Sequence, residues 1–240
     1  MHMKENAWLM LIKVFGAPDG IRKMEFRLVQ KWIKPQKGDK IIDIACGRGE
    51  LSYCMANCGA SVIGIDRAGA VRPLFELLNK NRGTQFVRAT VKKMPFPANY
   101  FNKAVCNVTL QLFPNDKGAL KEVARVLKRG GLLFLTVDSF MSPQITNKIK
   151  ELHRKQNRVY RYYNHEKLMC LLSSLGFKTI KHEYYIKSGL SGYVFGLGIK
   201  SNWSVFWKVF SVFMYPFCYV AEKLSENERG YGLAVLARVV

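Results

Sequence analysis

The fold is decided by the stretch Ile41-Ile42-Asp43-Ile44-Ala45-Cys46-Gly47-Arg48-Gly49-Glu50. An apolar run leads into a Gly-x-Gly turn, and residues 51–58 have helical spacing, so the glycines lie where a strand passes into a helix. Glycine lets the backbone turn tightly and approach a ligand, while the first N–H groups of the helix are free to bind polar atoms. A second strand-like run, 61–65, ends at Asp66, close to the spacing at which a strand–helix–strand unit places a carboxylate on a ribose.

Strand-like and helical segments alternate along the chain. Strands are predicted at 40–45, 61–65, 85–87, 103–108, 132–137, 178–186 and 233–239. Helices are predicted at 49–58, 68–80, 117–127, 144–156 and 165–175, the last with Asn164 as its N-cap and Gly176 as its stop. This alternation is typical of a doubly wound α/β sheet.

Four motifs in this order resemble the class I S-adenosylmethionine-dependent methyltransferases, in particular their type 11-like small-molecule and lipid enzymes. They are the D-x-A-C-G-x-G loop of 43–49, the G-x-D end of 64–66, the segment 94–105, which is similar to L-P-F-x(n)-F-D-x-V, and 125–133, which is similar to R-V-L-K-P-G-G-x-L. The resemblance covers residues 34–137 closely. It implies a Rossmann-like sheet of seven strands with an antiparallel last strand, and S-adenosyl-L-methionine as the cofactor.

A single methyltransferase domain of 1–240 is expected, because this length fits one α/β domain with a sizeable core. Its parts are a helical cap of 1–39, a Rossmann-like core of 40–187, an apolar aromatic insertion of 188–229 and a final strand of 230–240. The apolar spacing of 8–15 predicts an amphipathic helix, and the resemblance implies that this helix lies beside the cofactor pocket.

The resemblance also implies which residues hold the methionine and ribose parts of the cofactor. Gly47 and Gly49 would pass beside the methionine portion, and Asp43 would orient the loop or the amino group. Asp66 would accept both ribose hydroxyls, since a carboxylate can accept two hydrogen bonds from a vicinal diol.

At the adenine end the resemblance assigns Arg67 to the flank of the ring, Thr90 and Val91 to its edge, and Asn107 to the floor of the pocket. Thr90 stands where an acidic residue often meets the adenine amine. Further departures from the family pattern are Asn102 in place of Asp and Arg129 in place of Pro. These changes leave the fold expectation intact.

A general base is expected in the variable region after the fourth or fifth strand. His153, His165 and His182 lie in this half, and histidine has a pKa suited to proton removal near neutral pH. We expect His165 or Tyr163 to serve, although a helix start, a charged strand and a basic helix also explain the three histidines. The run 111–113 is expected to line the acceptor side.

The segment 203–221 is strongly apolar and aromatic, with Lys208 as its only charge. It is nearly as long as the roughly 20 residues that span a bilayer, but a single crossing would put two strands of one sheet on opposite sides. The segment could lie in a membrane interface, form a lid over the substrate pocket, or be a buried hairpin or dimer contact. The interfacial interpretation exposes the side chains of Trp203, Phe206, Trp207, Phe210 and Phe213.

The net charge of +21 favours a negatively charged partner surface. Basic residues cluster at Lys148, Lys150, Arg154, Lys155, Arg158, Arg161 and Lys167. Interleaved tyrosines could stack nucleic-acid bases, but the neighbouring apolar insertion suits an anionic membrane better than RNA, and a merely solvated cationic surface stays open.

The six cysteines have no zinc-ligand spacing, so no metal site is predicted and reduced thiols of a cytoplasmic protein are expected. Charges interrupt 1–14, so a signal peptide is not expected there. A peripheral position on the cytoplasmic face of a membrane stays open.

Together these patterns predict methyl transfer from S-adenosylmethionine to a lipidic, prenylated or otherwise hydrophobic acceptor at the membrane surface. The alternatives are a soluble small-molecule methyltransferase and an RNA methyltransferase that uses the basic face. The intact glycines and Asp66 argue against a non-catalytic binding protein. The identity of the acceptor, the methylated atom and the oligomeric state stay open.

Overall fold

The computed structural model describes residues 2–80, 82–142 and 145–240, with side chains from residue 8 onwards except that of Ala70. The strands are β1 (Lys40–Ile44), β2 (Ser61–Asp66), β3 (Thr84–Arg88), β4 (Phe101–Asn107), β5 (Leu127–Asp138), β6 (Phe177–Tyr185) and β7 (Gly232–Val239). The helices are α1 (His2–Phe15), α2 (Gly20–Ile33), α3 (Glu50–Asn57), α4 (Arg72–Asn79), α5 (Asp116–Val126), α6 (Asn147–Asn157), α7 (His165–Ser173), α8 (Gly189–Lys200) and α9 (Val205–Leu224). Short 3-10 turns lie at Gly69–Val71 and Leu110–Leu112.

The seven strands form one sheet in the order β3-β2-β1-β4-β5-β7-β6. The pairs from β3 to β5 are parallel, and β7 runs antiparallel to both of its neighbours. This arrangement confirms the predicted Rossmann-like sheet with an antiparallel last strand. The carboxyl ends of β1, β2, β4 and β5 therefore meet at one edge, where ligands bind in open α/β sheets.

Both faces of the sheet are covered, because alternate residues of the central strands enter different cores. Ile41 packs with α2, α3, α8 and α9, whereas the next residue, Ile42, packs with α5 and α7. Strands that are buried on both faces read as continuous apolar runs, which is the pattern that β1 shows in the sequence.

The insertion forms two helices, α8 and α9, that pack on each other; α9 also packs on α2, and α8 packs on α6. Trp207 is buried and donates its indole N–H to the Val194 carbonyl at 2.8 Å. The amide of Gly20 donates to the Ser211 hydroxyl at 3.0 Å, and a Cβ on Gly20 would collide with the Ser211 carbonyl. Of the helices in the described ranges, none has the length and apolar character that crossing a membrane requires.

The predicted exposure of the insertion is wrong for Trp207, which faces the core, and right for Phe206 and Phe213, which are exposed. Trp203 and Phe210 are partly buried. The insertion therefore has a buried face, as the buried alternative requires, and an exposed face, whose contact with a membrane stays a prediction.

Several boundaries differ from those predicted. The helical cap contains α1, as expected, and a second helix, α2, whose N-cap Asp19 accepts from the Arg22 amide. The helix predicted at 144–156 corresponds to α6, and its first predicted residue, Gln144, lies outside the described residues. Asn164 is confirmed as the N-cap of α7, and Gly176 follows that helix with a φ of 80°.

Candidate active site

The loop between β1 and α3 bends through three left-handed residues, Ala45, Gly47 and Gly49, with φ values of 55°, 56° and 79°. At Gly49 a Cβ would collide with the ring of Phe75, so packing requires glycine there. At Gly47 a Cβ would meet no atom within 4 Å, so this glycine leaves open space beside the backbone. One glycine is thus needed for packing, and the other keeps the loop surface accessible to a ligand.

Asp66 lies at the end of β2, and its carboxylate is oriented by two backbone amides. Oδ2 accepts from Gly47 N–H at 3.1 Å, and Oδ1 accepts from Ala68 N–H at 2.8 Å. A carboxylate has about four lone-pair sites, so two remain for further donors. The structure thus ties the predicted ribose carboxylate directly to the glycine loop.

Asp43 is buried beneath the same loop and accepts a hydrogen bond from the Ser52 hydroxyl at 2.6 Å. Burial is the main cause that raises the pKa of this carboxyl to about 7. Near neutral pH its proton is therefore easily displaced, and a cationic group in the adjoining cavity would favour the ionised form.

We expect the raised pKa of Asp43 to give a measurable pH dependence of stability. Because the folded pKa lies above the unfolded value of 3.8, the folded state holds the proton more tightly, and this stability is lost as pH rises from the unfolded pKa to the folded pKa of about 7. The substitution Asp43→Asn puts an uncharged amide at this position and removes this titration. As pH rises over this range, the thermal midpoint of the wild type should therefore fall relative to that of the variant. A constant difference between the two melting temperatures across the range would contradict this assignment.

A cavity of about 370 Å³, here called the loop cavity, lies against these residues. Its lining includes Asp43, Gly47, Val71 and Asn107. The side chain of Asn107 is already engaged, because its amide donates to Glu25 at 2.8 Å and its carbonyl accepts from Thr136 at 2.8 Å. Asn107 therefore forms a fixed part of the cavity wall, and its role as the floor of the cofactor pocket stays a prediction.

The residues predicted around the adenine do not line the described part of the loop cavity. Arg67 and Thr90 are exposed, and Thr90 forms an isolated β-bridge with Lys93. Val91 packs against the core beside α5. The cavity instead reaches Val71, and the three adenine contacts stay predictions.

A second cavity of about 300 Å³, here called the aromatic cavity, adjoins the first. Six residues line both cavities: Pro18, Arg22, Arg48, Glu50, Val108 and Leu112. Trp8 of α1 closes one side and donates its indole N–H to Glu50 at 3.0 Å. Phe195, Trp203 and Tyr231 supply further aromatic walls. A molecule in the aromatic cavity would therefore lie next to a ligand bound against the glycine loop.

The shared wall contains strained backbone. Val108, at the end of β4, has a φ of 52°, which is unfavourable for a β-branched residue. Its amide is held by the Thr136 hydroxyl at 2.9 Å and by the Thr136 carbonyl at 3.1 Å. Such strain collects at functional sites, where the surrounding structure enforces it.

Buried polar groups also line the aromatic cavity. Asp138 ends β5, Tyr231 precedes β7 and His153 lies in α6, and the Tyr231 hydroxyl contacts both Asp138 and His153. Gln111 donates to Asp138 at 2.9 Å, and Gln111 and Leu112 line this cavity, while their contact with an acceptor stays a prediction.

The structure places Tyr163 and His165, the two predicted bases, away from this site. The Tyr163 hydroxyl donates to Asp116 at 2.6 Å in a cluster with Arg161, and the His165 ring lies against His182 with 3.9 Å between centroids and a tilt of 34°. Neither residue is among the described residues that line the loop and aromatic cavities. In the structure both residues make contacts around α7, and a role as base stays a prediction for each of them. The sequence did contain a signal that could have indicated Asp138 as a site residue, because it is a polar residue at the carboxyl end of a buried strand.

Comparisons with known proteins agree with this geometry. Residues 42–135 match the family model described as "Methyltransferase domain". An uncharacterized chloroplastic methyltransferase of Arabidopsis thaliana is 26% identical over 192 residues, which are 76% of this chain and 53% of that protein. The ubiquinone/menaquinone biosynthesis C-methyltransferase of Neisseria meningitidis is 35% identical over 114 residues, 42% of this chain and 43% of that enzyme. The chain thus spans about half the length of these curated relatives.

Among solved structures, a geranyl diphosphate methyltransferase in complex with S-adenosylmethionine superposes with a TM-score of 0.65. The match covers 90% of this chain and 85% of that one at 12% identity, so it shows the fold alone. The open space at Gly47, the oriented Asp66 carboxylate and the buried Asp43 carboxyl fit the methionine and ribose parts of that cofactor. Residues 42–135 are thus similar to the methyltransferase-domain family, the chain has the fold of a solved methyltransferase, and S-adenosylmethionine is the cofactor that this similarity implies.

Proposed function

We propose that this protein transfers a methyl group from S-adenosylmethionine to a hydrophobic, quinone-like or prenylated acceptor at the surface of an anionic membrane. The observation that carries the proposal is the shared wall between the loop cavity and the aromatic cavity. An apolar ring in the aromatic cavity would lie beside the cofactor. Relatives that methylate quinone precursors, such as the Neisseria enzyme, support this class of acceptor.

The cofactor supplies an electrophilic methyl group on a sulfonium when it is bound. The work of the protein is then mainly positioning, because methyl transfer requires in-line approach of the acceptor atom. Asp66 and the glycine loop would hold the nucleoside and methionine parts, and Asp43 would meet the cationic amino group. The aromatic walls would keep water away from the acceptor.

The membrane part of the proposal rests on an exposed apolar stripe along α9. The stripe consists of Phe206, Val209, Phe213, Phe217, Val220 and Leu224. These residues recur every three or four positions and so form one face of the helix. Exposed Met10 and Val14 of α1 extend the surface, and the Phe15 ring meets Phe213 edge-on at 6.3 Å. Contiguous exposed apolar surface of this kind marks membrane or partner contacts.

A cationic groove adjoins the apolar stripe, between α2, α9 and the end of β6. Its cations are Arg27, Lys31, Lys187 and Lys223. Arg27 donates to the Tyr215 hydroxyl at 3.0 Å and lies 4.2 Å from the centre of the Tyr219 ring. Two acids, Glu183 and Glu222, also line the groove, so its four cations remain in excess. Glu222 is occupied, because it accepts from the backbone amides of Lys187 and Ser188. Cations beside an apolar face match an anionic lipid interface.

Trp8, Trp203 and Lys208 connect this surface to the acceptor site, since α1 and α9 both reach the aromatic cavity. An acceptor dissolved in the bilayer would therefore meet the cavity between the two helices that carry exposed apolar residues. The basic cluster predicted on α6 is partly used internally, since Arg161 pairs with Asp116 and Arg154 lies over Tyr162. The groove beside α9 is the better candidate for lipid contact.

We expect the protein to sediment with vesicles of phosphatidylcholine and phosphatidylglycerol at low salt, and less with phosphatidylcholine alone. The double change Phe213→Ser and Phe217→Ser should release it from the vesicles while the thermal midpoint stays nearly constant, because both rings are exposed. Lys31→Glu with Lys223→Glu should remove the salt-sensitive component, since salt screens only the electrostatic attraction.

Leu77→Ser is the matched control, because Leu77 is an exposed apolar residue on α4, away from the stripe. Its binding should equal that of the wild type. Recovery of the wild type in the supernatant with both kinds of vesicle would overturn the membrane proposal and favour a soluble small-molecule enzyme.

A further inference from the structure

We propose that Asp138, Tyr231 and His153 form a proton-accepting cluster that takes a proton from the methyl acceptor. The acceptor class is thereby narrowed to hydroxyaromatic compounds such as phenols and hydroquinones. This inference rests on the proposed function, because it assigns the aromatic cavity to the acceptor. It names residues and a substrate property that the family resemblance does not supply.

The cluster is buried in the wall of the aromatic cavity. Asp138, Tyr231 and His153 are each less than 5% exposed, and all three line this cavity. They come from three separate elements, the end of β5, the residue preceding β7, and α6. Polar groups are costly to bury in an apolar wall, so a cluster facing a ligand cavity points to use in binding or chemistry.

The hydrogen bonds form one continuous chain. The Tyr231 hydroxyl lies 2.9 Å from Asp138 Oδ1 and 3.0 Å from His153 Nε2. His153 Nδ1 lies 3.2 Å from the Tyr162 hydroxyl, which donates to the Lys150 carbonyl at 3.1 Å. A hydroxyl has one proton, so Tyr231 can donate to Asp138 or to His153 but not to both.

Two proton arrangements follow from this limit. When Asp138 is protonated, it donates to Tyr231, Tyr231 donates to His153 Nε2, and His153 Nδ1–H donates to Tyr162. Every proton then has an acceptor. When Asp138 is ionised, Tyr231 turns its proton towards the carboxylate, and Nε2 loses its donor. The ionised arrangement leaves a buried carboxylate at the cavity that gains by taking up a proton.

The charged and titratable groups around Asp138 come from every element packed against it. They are Arg22 and Glu25 of α2, His153 of α6, Tyr162 after α6, Tyr185 of β6 and Tyr231. Burial is the largest influence, and it raises the pKa of Asp138 to about 7. Burial also lowers the pKa of His153 to about 4, so the 3.8 Å approach of Nε2 to Asp138 Oδ2 is not an ion pair near neutral pH.

Asp138 is therefore the group that changes protonation near neutral pH, and Tyr231 and His153 are positioning residues. A base is most effective when its pKa lies near the working pH. In the proposed step the acceptor O–H bond breaks, the proton passes to the Asp138 carboxylate, and the electron pair stays on the acceptor. S-adenosylmethionine, held by Asp66 and the glycine loop, would supply the methyl group to this electron-rich acceptor, and the electron pair of the carbon–sulfur bond would stay on sulfur.

Two naphthyl probes of similar shape test this inference without turnover. 2-Naphthol has a hydroxyl proton, and 2-methoxynaphthalene has none. Calorimetry of the whole chain, saturated with S-adenosylhomocysteine, should show 2-naphthol affinity rising about tenfold or more from pH 5 to pH 8, because the ionised carboxylate accepts its hydrogen bond. The affinity of 2-methoxynaphthalene should not change with pH.

Asp138→Asn should abolish the pH dependence for 2-naphthol and leave 2-methoxynaphthalene binding intact. Tyr231→Phe should move the midpoint of the rise in 2-naphthol affinity to higher pH, because the Tyr231 hydroxyl stabilises the ionised carboxylate of Asp138. Asp116→Asn is the matched control, since Asp116 bonds Tyr163 outside the aromatic cavity, and it should behave as the wild type. Thermal melts would confirm that each variant is folded.

The outcomes separate the two proposals. If 2-methoxynaphthalene binds but 2-naphthol affinity is independent of pH, or keeps its pH dependence in Asp138→Asn, the proton-accepting cluster is overturned and the proposed function stands. If neither probe binds to the wild type, the aromatic cavity does not accept aromatic compounds, and both proposals fail.

Discussion

Trp207→Ala is expected to lower the free energy of unfolding by about 3–5 kcal/mol, the range for a buried aromatic side chain that leaves a cavity. The Trp207 side chain is 3% exposed and packs edge-on against Trp203, with 5.0 Å between ring centroids. The variant also lacks the hydrogen bond that the indole donates to the Val194 carbonyl. The lost contacts join α8 to α9, so the damage is between the two helices of the insertion.

Phe206→Ala is the matched control, because Phe206 is the residue before Trp207 and its ring is 82% exposed. This change should alter the free energy of unfolding by no more than about 0.5 kcal/mol, as is usual for surface positions. Urea unfolding of both variants measures the difference. Equal losses in the two variants would show that the insertion does not pack on the sheet domain as described.

Asp66→Ala is expected to weaken S-adenosylmethionine binding by roughly ten- to a hundredfold, which corresponds to about 1.5–3 kcal/mol for hydrogen bonds to a charged partner. The loss has two sources. The ribose hydroxyls lose their acceptor, and the Gly47 and Ala68 amides lose the carboxylate that holds the loop in shape. Calorimetric titration with the cofactor measures the change directly.

Glu76→Ala controls for the loss of one negative charge, because Glu76 forms only an exposed pair with Arg72 on α4. Such pairs contribute little, so cofactor affinity should stay close to that of the wild type. If Asp66→Ala binds the cofactor as tightly as Glu76→Ala, the ribose assignment is wrong.

The sheet could be predicted from the sequence because its central strands are short apolar runs that end in glycine, Asp or Asn. Residues 40–44 and 61–66 form strands close to the predicted limits, and the glycine loop lies between strand and helix as expected. Local chemistry determines these features, so a local pattern reveals them. The helix α2 also had a signal, the N-cap Asp19 followed by Ile21, Met24 and apolar residues at helical spacing.

The faces of α9 could not be predicted in the same way. Aromatic residues lie almost all round this helix, so hydropathy alone did not distinguish buried Trp207 from exposed Phe206. The buried face is selected by α2 and α8, for example where Ser211 meets Gly20 at a sequence separation of 191 residues. Contacts of that range leave no periodic trace in the segment itself.

The buried polar residues of the aromatic cavity could not be predicted for a similar reason. Asp138 and Tyr231 are 93 residues apart, and His153 joins them from a helix that reads as a solvated basic segment. Five of the residues from 148 to 155 are charged, yet His153 itself is buried. Residue type alone therefore favoured His165 and Tyr163, whose surroundings in the sequence were equally plausible for a base.

The position of β7 inside the sheet affects the order in which the protein can fold. Strand β6 pairs only with β7 in the described sheet, and the two are separated in the chain by α8 and α9. A nascent chain can form the β1–β2 unit and its glycine loop early, but β6 has to wait until the insertion and β7 have been synthesised. Such late, long-range pairing is slow and leaves strand edges open to aggregation. The glycine loop beside the loop cavity is thus built from early, local contacts, whereas the aromatic cavity, which includes Tyr231, is completed only when the last strand closes the sheet.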